Sequence, residues 1–126
     1  MHMSAKVVAA IAGLVLLAAL LPAWSSPPTH EIILVARGMT FYLDGEPGTP
    51  NPTLEVKAGE RVRVVLRNQD RGMTHDFAVP ALAAAMNTLA WNQSGEVTFD
   101  LPDMPGTYEY ECRPHRLMMR GIIRVY

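Results

Sequence analysis

The sequence predicts an all-β protein, an antiparallel Greek-key sandwich of seven to eight strands that follows an apolar N-terminal segment. Short β-branched or alternating runs recur through residues 31–126, and each is long enough for one strand. Turn-forming stretches separate these runs, among them DGEPGTPNP, NQDRGM and PDMPG. Many short strands within about 100 residues are typical of two sheets packed face to face.

The N-terminal segment, residues 1–25, is interpreted as a secretory signal or as a membrane anchor. An uncharged run from Val7 to Leu21 follows Lys6, and it is shorter than the roughly 20 apolar residues that span a bilayer. The run suits the apolar core of a signal peptide with cleavage after Ser25. The alternative is an anchor over residues 7–24, held at the outer face of the cytoplasmic membrane. Both interpretations predict a periplasmic or exported protein.

The strand-like runs alternate apolar and polar positions. After a linker at 26–30, EIILVAR is the first run, and TLEVKAGERVRVVLRNQ holds two strands around a turn at Ala58-Gly59. In the second of these strands, Val62, Val64 and Leu66 alternate with arginines, so one face is predicted to be buried and the other solvated. The later runs EVTFDL, TYEYEC and GIIRVY follow the same pattern.

One stretch departs from this pattern, ALAAAMNTLAW, from Ala81 to Trp91. Its alanines favour a helical turn, and an irregular loop is the alternative. The predicted organisation is therefore a signal or anchor at 1–25, a linker at 26–30 and one domain at 31–126.

Charge and cysteine content narrow the class of function. A formal net charge of −1 over 126 residues gives no reason to expect a nucleic-acid partner. The chain has one cysteine, Cys112, which cannot form an internal disulfide. In an exported protein an odd cysteine indicates a reactive thiol, an intermolecular bond or a metal ligand.

Soft ligand types are concentrated in one stretch, YECRPHRLMM. Cys112 is followed by His115 and then by Met118 and Met119. Thiolate, imidazole and thioether suit copper, and copper electron-transfer sites use two histidines, a cysteine and a weak axial methionine. Outside the signal and the linker, the second histidine is His75, in GMTHDF. Taken singly, a buried cysteine acts as a small hydrophobe and methionines fill gaps in a core.

Two separated motifs resemble those of the cupredoxins, the small blue copper proteins, and are most similar to the plastocyanin and amicyanin branch. GTYEYECRPHRLMMRGIIRVY resembles the C-terminal copper loop of that family, in which a cysteine, proline and histidine precede a methionine, a glycine and a last strand. THDF resembles the segment that carries the first histidine, and NPTLEVKAGERVRVVLRN resembles the strands before it. The likeness extends over about residues 31–126, nearly the whole predicted mature chain.

The resemblance implies one copper ion, cycling between Cu(I) and Cu(II), and the ligands His75, Cys112, His115 and Met119. The family places its methionine two residues before the glycine of the last strand, so Gly121 selects Met119. Met118 matches only the shortest family loops. Asp76 stands where the family more often has asparagine, which puts in doubt the side-chain bond that usually joins the two loops.

The resemblance further implies an electron carrier and not an enzyme, so no catalytic residue is predicted. The expected protein is a monomer that exchanges single electrons with a larger donor and acceptor by transient docking near His115. One alternative is a copper-binding or delivery protein without redox turnover. A copper enzyme with an open coordination position is the other, if neither methionine binds.

Overall fold

The computed structural model describes residues 28–126, which form two sheets around a shared core. The strands are β1 Thr29–Ala36, β2 Phe41–Leu43, β3 Leu54–Val56, β4 Arg61–Asn68, β5 Ala78–Val79, β6 Ala84–Ala85, β7 Ser94–Asp100, β8 Gly106–Glu111 and β9 Arg120–Val125. Two 3₁₀ turns lie at Pro80–Leu82 and Arg113–His115. The predicted all-β sandwich is confirmed. The predicted N-terminal signal or anchor lies outside the described residues.

The two sheets are mixed, whereas the sequence predicted antiparallel pairing throughout. The first has the strand order β2-β1-β4-β7 and the second β3-β9-β8-β5-β6. β1 pairs with β4 in parallel, from Thr29 opposite Arg61 to Ala36 opposite Asn68, and β3 pairs with β9 in parallel. The predicted turn at Ala58-Gly59 is present, but it joins β3 and β4 in different sheets, so these strands do not form a hairpin. The parallel pairs arise because the chain changes sheet between their members.

The alternating strand residues build the core as their pattern predicted, and its centre is aromatic. The ring of Tyr110 lies 5.5 Å from that of Phe41 and 5.2 Å from that of Phe77, and all three side chains are fully buried. The hydroxyl of Tyr110 donates to the carbonyl oxygen of Pro52 at 2.6 Å. The polar atom of the buried ring is therefore satisfied, which removes the cost of burying it.

The stretch from Ala81 to Trp91 is mostly irregular. Its helical content is the single 3₁₀ turn at Pro80–Leu82, which ends because Ala83 takes a left-handed φ of 51°. At the N-terminal side, β1 begins at Thr29, so the last two residues of the predicted linker belong to a strand. Within residues 28–126, no helix has the length and apolar character needed to cross a bilayer.

Candidate metal centre

Four loop regions meet at one end of the sandwich, which we call the ligand pole: residues 37–40, 69–77, 80–93 and 112–119. The backbone N–H of Gly38 donates to a carboxylate oxygen of Asp70 at 2.6 Å. His75 and Leu89 exchange backbone hydrogen bonds of 3.1 and 2.7 Å. These contacts bring the ends of β1 and β4 and the segment before β7 to one place, and the loop between β8 and β9 joins them.

Cys112 and His75 form the centre of the ligand pole. The sulfur of Cys112 lies 3.7 Å from Nδ1 of His75, and both side chains are fully buried. Two protein ligands that share one ion through bonds of about 2.0–2.3 Å lie roughly 3.5–3.8 Å apart. The observed separation therefore fits a shared metal ion. Burial raises the pKa of the Cys112 thiol, so a bound cation would be needed to keep the thiolate at neutral pH.

Met119 is the buried methionine of the C-terminal loop. Its side chain is 0% exposed, whereas that of Met118 is 60% exposed. The backbone N–H of Cys112 donates to the carbonyl of Met119 at 2.9 Å, and the N–H of Met119 donates to His115 at 2.9 Å. Of the two methionines, Met119 is thus the buried one, and its backbone pairs with that of Cys112.

His115 reaches the same region from the partly exposed side. Its ring centre lies 5.2 Å from that of His75, and its Nε2 lies 3.1 Å from the carbonyl oxygen of Thr74. A proton on Nε2 satisfies that carbonyl and leaves Nδ1 as the free donor atom. Among the residues that the structure describes, no three His, Cys, Asp or Glu side chains converge into a ready-made cluster. The set of four ligands therefore stays a prediction.

Asp70 orients His75, a contact that was not predicted from the sequence. An oxygen of its carboxylate lies 2.8 Å from Nε2 of His75, and the other oxygen accepts from Gly38. Burial opposes ionisation of Asp70, but hydrogen bonds from Met39, Gly38 and His75 outweigh it and hold its pKa below the ordinary value. An ionised carboxylate accepts the Nε2 proton and leaves Nδ1 of His75 unprotonated toward Cys112.

Asp70 is itself held by the turn after β1 and by Asn68. Gly38 and Met39 both have positive φ angles, of 59° and 58°, so their successive N–H groups converge on one carboxylate. Asn68 is buried, accepts from the Asp70 N–H at 2.9 Å and donates to the carbonyls of Met73 and Leu89. The only signal for this in the sequence is a carboxylate five residues before a candidate histidine.

We expect Asp70→Ala to weaken copper binding by about 10–100-fold, the usual cost of losing a residue that orients a metal-ligating histidine. The affinity is measured by competition with a chelator of known strength. Asp103→Ala is the control, because Asp103 is exposed and lies beside Gly59 at the opposite end of the sandwich. Equal affinities for the two variants would contradict the orienting role.

Asp76 joins the two ligand-bearing loops. Its side chain is 1% exposed and accepts from the backbone N–H of Arg113 at 2.8 Å and from Nε of Arg113 at 2.6 Å. The same guanidinium donates to the carbonyl of Met86 at 2.8 Å. The side-chain bond between the two loops, which the aspartate put in doubt, is therefore present. Aspartate is tolerated at this buried position because Arg113 supplies the balancing charge.

The surface of the ligand pole around His115 has exposed apolar side chains next to arginines. Leu117 is 88% exposed, and Met118 and Met73 are also exposed. A shallow depression is lined by residues 113–118. His115 is the only predicted ligand that is not fully buried, so the centre meets solvent through its imidazole.

Comparison with known proteins agrees with the predicted family. A family model described as "Cupredoxin-like domain" matches residues 10–125. No curated protein sequence is significantly similar to the chain. Among solved structures, auracyanin B has a TM-score of 0.63 at 23% identity, with 81% of this chain and 91% of that chain covered.

Two further structures are similar. A reduced Cu(I) form of an amicyanin variant has a TM-score of 0.51 at 25% identity, with 82% of this chain and 88% of that chain covered. Auracyanin A, a "blue" copper protein from Chloroflexus aurantiacus, has a TM-score of 0.60 at 21% identity, with 79% of this chain and 100% of that chain covered. The auracyanins show the fold alone, and the family model extends over both ligand-bearing loops.

Proposed function

The chain belongs to the cupredoxin family, and from that premise we propose that it is a type 1 blue copper protein that carries single electrons between larger redox partners outside the cytoplasm. The observation that carries the proposal is the buried pair of Cys112 and His75, whose sulfur and Nδ1 atoms lie 3.7 Å apart. These are the soft and borderline donors that such a copper site uses.

The residues that would hold the copper ion are His75, Cys112, His115 and Met119. When bound, the ion supplies a one-electron Cu(II)/Cu(I) couple. The chain supplies position: Asp70 sets the tautomer of His75, and Asp76 ties the Cys112 loop to the His75 loop. A donor set held by such contacts changes little between redox states, which favours fast electron transfer.

Burial supports a carrier over an enzyme. His75, Cys112 and Met119 are 0% exposed, so the three side chains leave no open path for a substrate. A delivery protein needs ligands that exchange readily, and buried ligands exchange slowly. His115 alone faces outward, so electrons would leave through its imidazole toward a transiently docked partner. Weak redox encounters use small interfaces, which suits the apolar surface at Leu117 and Met118.

The proposed location of the protein outside the cytoplasm rests on the sequence of the N-terminal segment. An uncharged run at residues 7–21 precedes the domain, as in a secretory signal or a short anchor. A protein exported in either way would meet its redox partners in the periplasm or at the outer face of the cytoplasmic membrane.

The test is the absorption spectrum and redox titration of the copper-loaded protein. We expect an intense blue band from the thiolate, reversible loss of that band on one-electron reduction, and copper exchange that is slow in both redox states. A blue band with rapid copper exchange and no reversible reduction would indicate delivery. A protein that binds copper without any intense visible band would refute the blue copper assignment.

A further inference from the structure

Eight of the nine arginines of residues 28–126 fall into two groups, and the ninth, Arg113, pairs with the buried Asp76. On the sheet faces each one pairs with a carboxylate: Arg61, Arg63, Arg67, Arg120 and Arg124. At the ligand pole and its flank, Arg37, Arg71 and Arg116 are exposed, and none of them forms an ion pair with a carboxylate of residues 28–126. The guanidinium charge that the fold leaves unpaired is therefore concentrated at one end of the molecule.

The carboxylates of the ligand pole face inward. Its loops contain two, Asp70 and Asp76. The side chain of Asp70 is 14% exposed and contacts His75, and that of Asp76 is 1% exposed and contacts Arg113. Inward carboxylates and outward guanidiniums give this end a positive surface, although the whole chain has a net charge of −1.

Large apolar side chains share this surface. Four of the seven large hydrophobic side chains that are exposed in the described part of the chain belong to the ligand pole: Met73, Trp91, Leu117 and Met118. The guanidinium of Arg71 lies over the ring of Trp91, 4.3 Å from its centre. Stacking holds this charge at the surface without a carboxylate partner. Tryptophan, methionine and arginine are the residue types enriched in protein interfaces.

We propose that the ligand pole docks on a redox protein whose electron-exchange site is ringed by aspartate and glutamate side chains. The inference rests on the proposed function and adds the chemistry of the partner. Arg71 and Arg116 contact the carboxylates, while Leu117 and Met118 close the apolar centre beside His115. An anionic lipid surface would satisfy the charges but offers His115 no redox group to reach, so the partner is a protein. Opposite charges raise the encounter rate and orient the pair.

The test uses one haem protein in two charge forms. Electron exchange between the copper-loaded full chain and cytochrome c is measured by stopped flow, with the native cationic cytochrome and with the same cytochrome after its lysines have been succinylated. At low ionic strength we expect the succinylated form to react at least about 10-fold faster. The advantage falls with added salt, because the screening length shortens from about 30 Å at 0.01 M to about 10 Å at 0.1 M.

A matched pair of double variants locates the effect. Arg71→Gln with Arg116→Gln removes two unpaired charges from the ligand pole, and we expect it to abolish most of the advantage of the succinylated form. Arg61→Gln with Arg124→Gln makes the same change in net charge at paired arginines away from the pole and is expected to keep the advantage. The absorption spectrum of each copper-loaded variant shows first that the ligand set is undisturbed.

Each alternative outcome overturns the inference in a recognisable way. Equal rates for the two cytochromes, or equal losses in the two double variants, reject an acidic partner, while a reversible blue band leaves the proposed function intact. Sedimentation with phosphatidylglycerol vesicles that is lost only in the pole variant, together with equal cytochrome rates, assigns the surface to a membrane. Absence of the blue band rejects the proposed function itself.

Discussion

Cys112→Ser is expected to abolish the intense visible band of the copper-loaded protein. The band requires a thiolate bound to copper, and a serine hydroxyl is a hard donor that stays protonated at neutral pH. The sulfur lies 3.7 Å from Nδ1 of His75 in a fully buried position, and Cys112 is the one cysteine of the chain, so no second thiolate can replace it. The measurement is an absorption spectrum after copper addition, beside far-UV circular dichroism of the copper-free variant.

The two methionines provide the comparison for this experiment. Met119→Leu removes the buried thioether with little change of volume, and we expect it to shift the visible band and raise or lower the reduction potential measurably. Met118→Leu changes a side chain that is 60% exposed and is expected to leave the band unchanged. A visible band that survives in Cys112→Ser would remove the thiolate from the ligand set, and a shift confined to Met118→Leu would reverse the choice of axial methionine.

Gly121→Ala is expected to destabilise the domain by about 1–3 kcal/mol, the usual cost of overfilling a packed interior. A Cβ atom at Gly121 would lie 2.5 Å from Cζ and 2.7 Å from Cε1 of Tyr110. The ring cannot move aside, because it is fully buried, packs against Phe41 and Phe77 and donates a hydrogen bond to Pro52. In a domain of about 100 residues each kcal/mol corresponds to roughly 4–8 °C in Tm.

Gly106→Ala is the matched control for this prediction. Gly106 lies on β8, beside β9, and a Cβ atom there would meet nothing within 4 Å. We expect its free energy of unfolding to change by no more than an ordinary surface substitution changes it, about ±0.5 kcal/mol. The measurement is the Tm of both copper-free variants from thermal unfolding. Equal Tm values would show that the ring of Tyr110 relaxes at little cost.

The sequence predicted the burial of individual strand residues well, because a two-residue period depends only on local geometry. Val62, Val64 and Leu66 are buried in β4 as their alternation indicated. Strand partners were harder to predict, since the pairing of β1 with β4 depends on where the intervening chain changes sheet. Local alternation shows which face of a strand is buried but not which strand lies beside it.

The candidate site shows the same limit. The sequence pointed to Cys112 and His75 through their residue types and flanking motifs, and the structure places them together. Asp70 was missed because its contact with His75 depends on the positive φ of Met39 in a loop more than 30 residues away. The doubt about Asp76 arose from its departure from the asparagine that is more common in the family, and Arg113 of the neighbouring loop supplies donors that suit a carboxylate.

The pairing of β3 has a consequence for the order in which the protein assembles. β3 lies at the edge of its sheet, and its single partner is β9, with Leu54 opposite Ile123 near the end of the sequence. Contacts between such distant segments form slowly, and during synthesis β3 cannot complete its pairing until β9 has emerged. The loop with Cys112 and Met119 directly precedes β9, so the strand that fixes the edge of this sheet and two of the predicted copper ligands are among the last parts of the domain to be made.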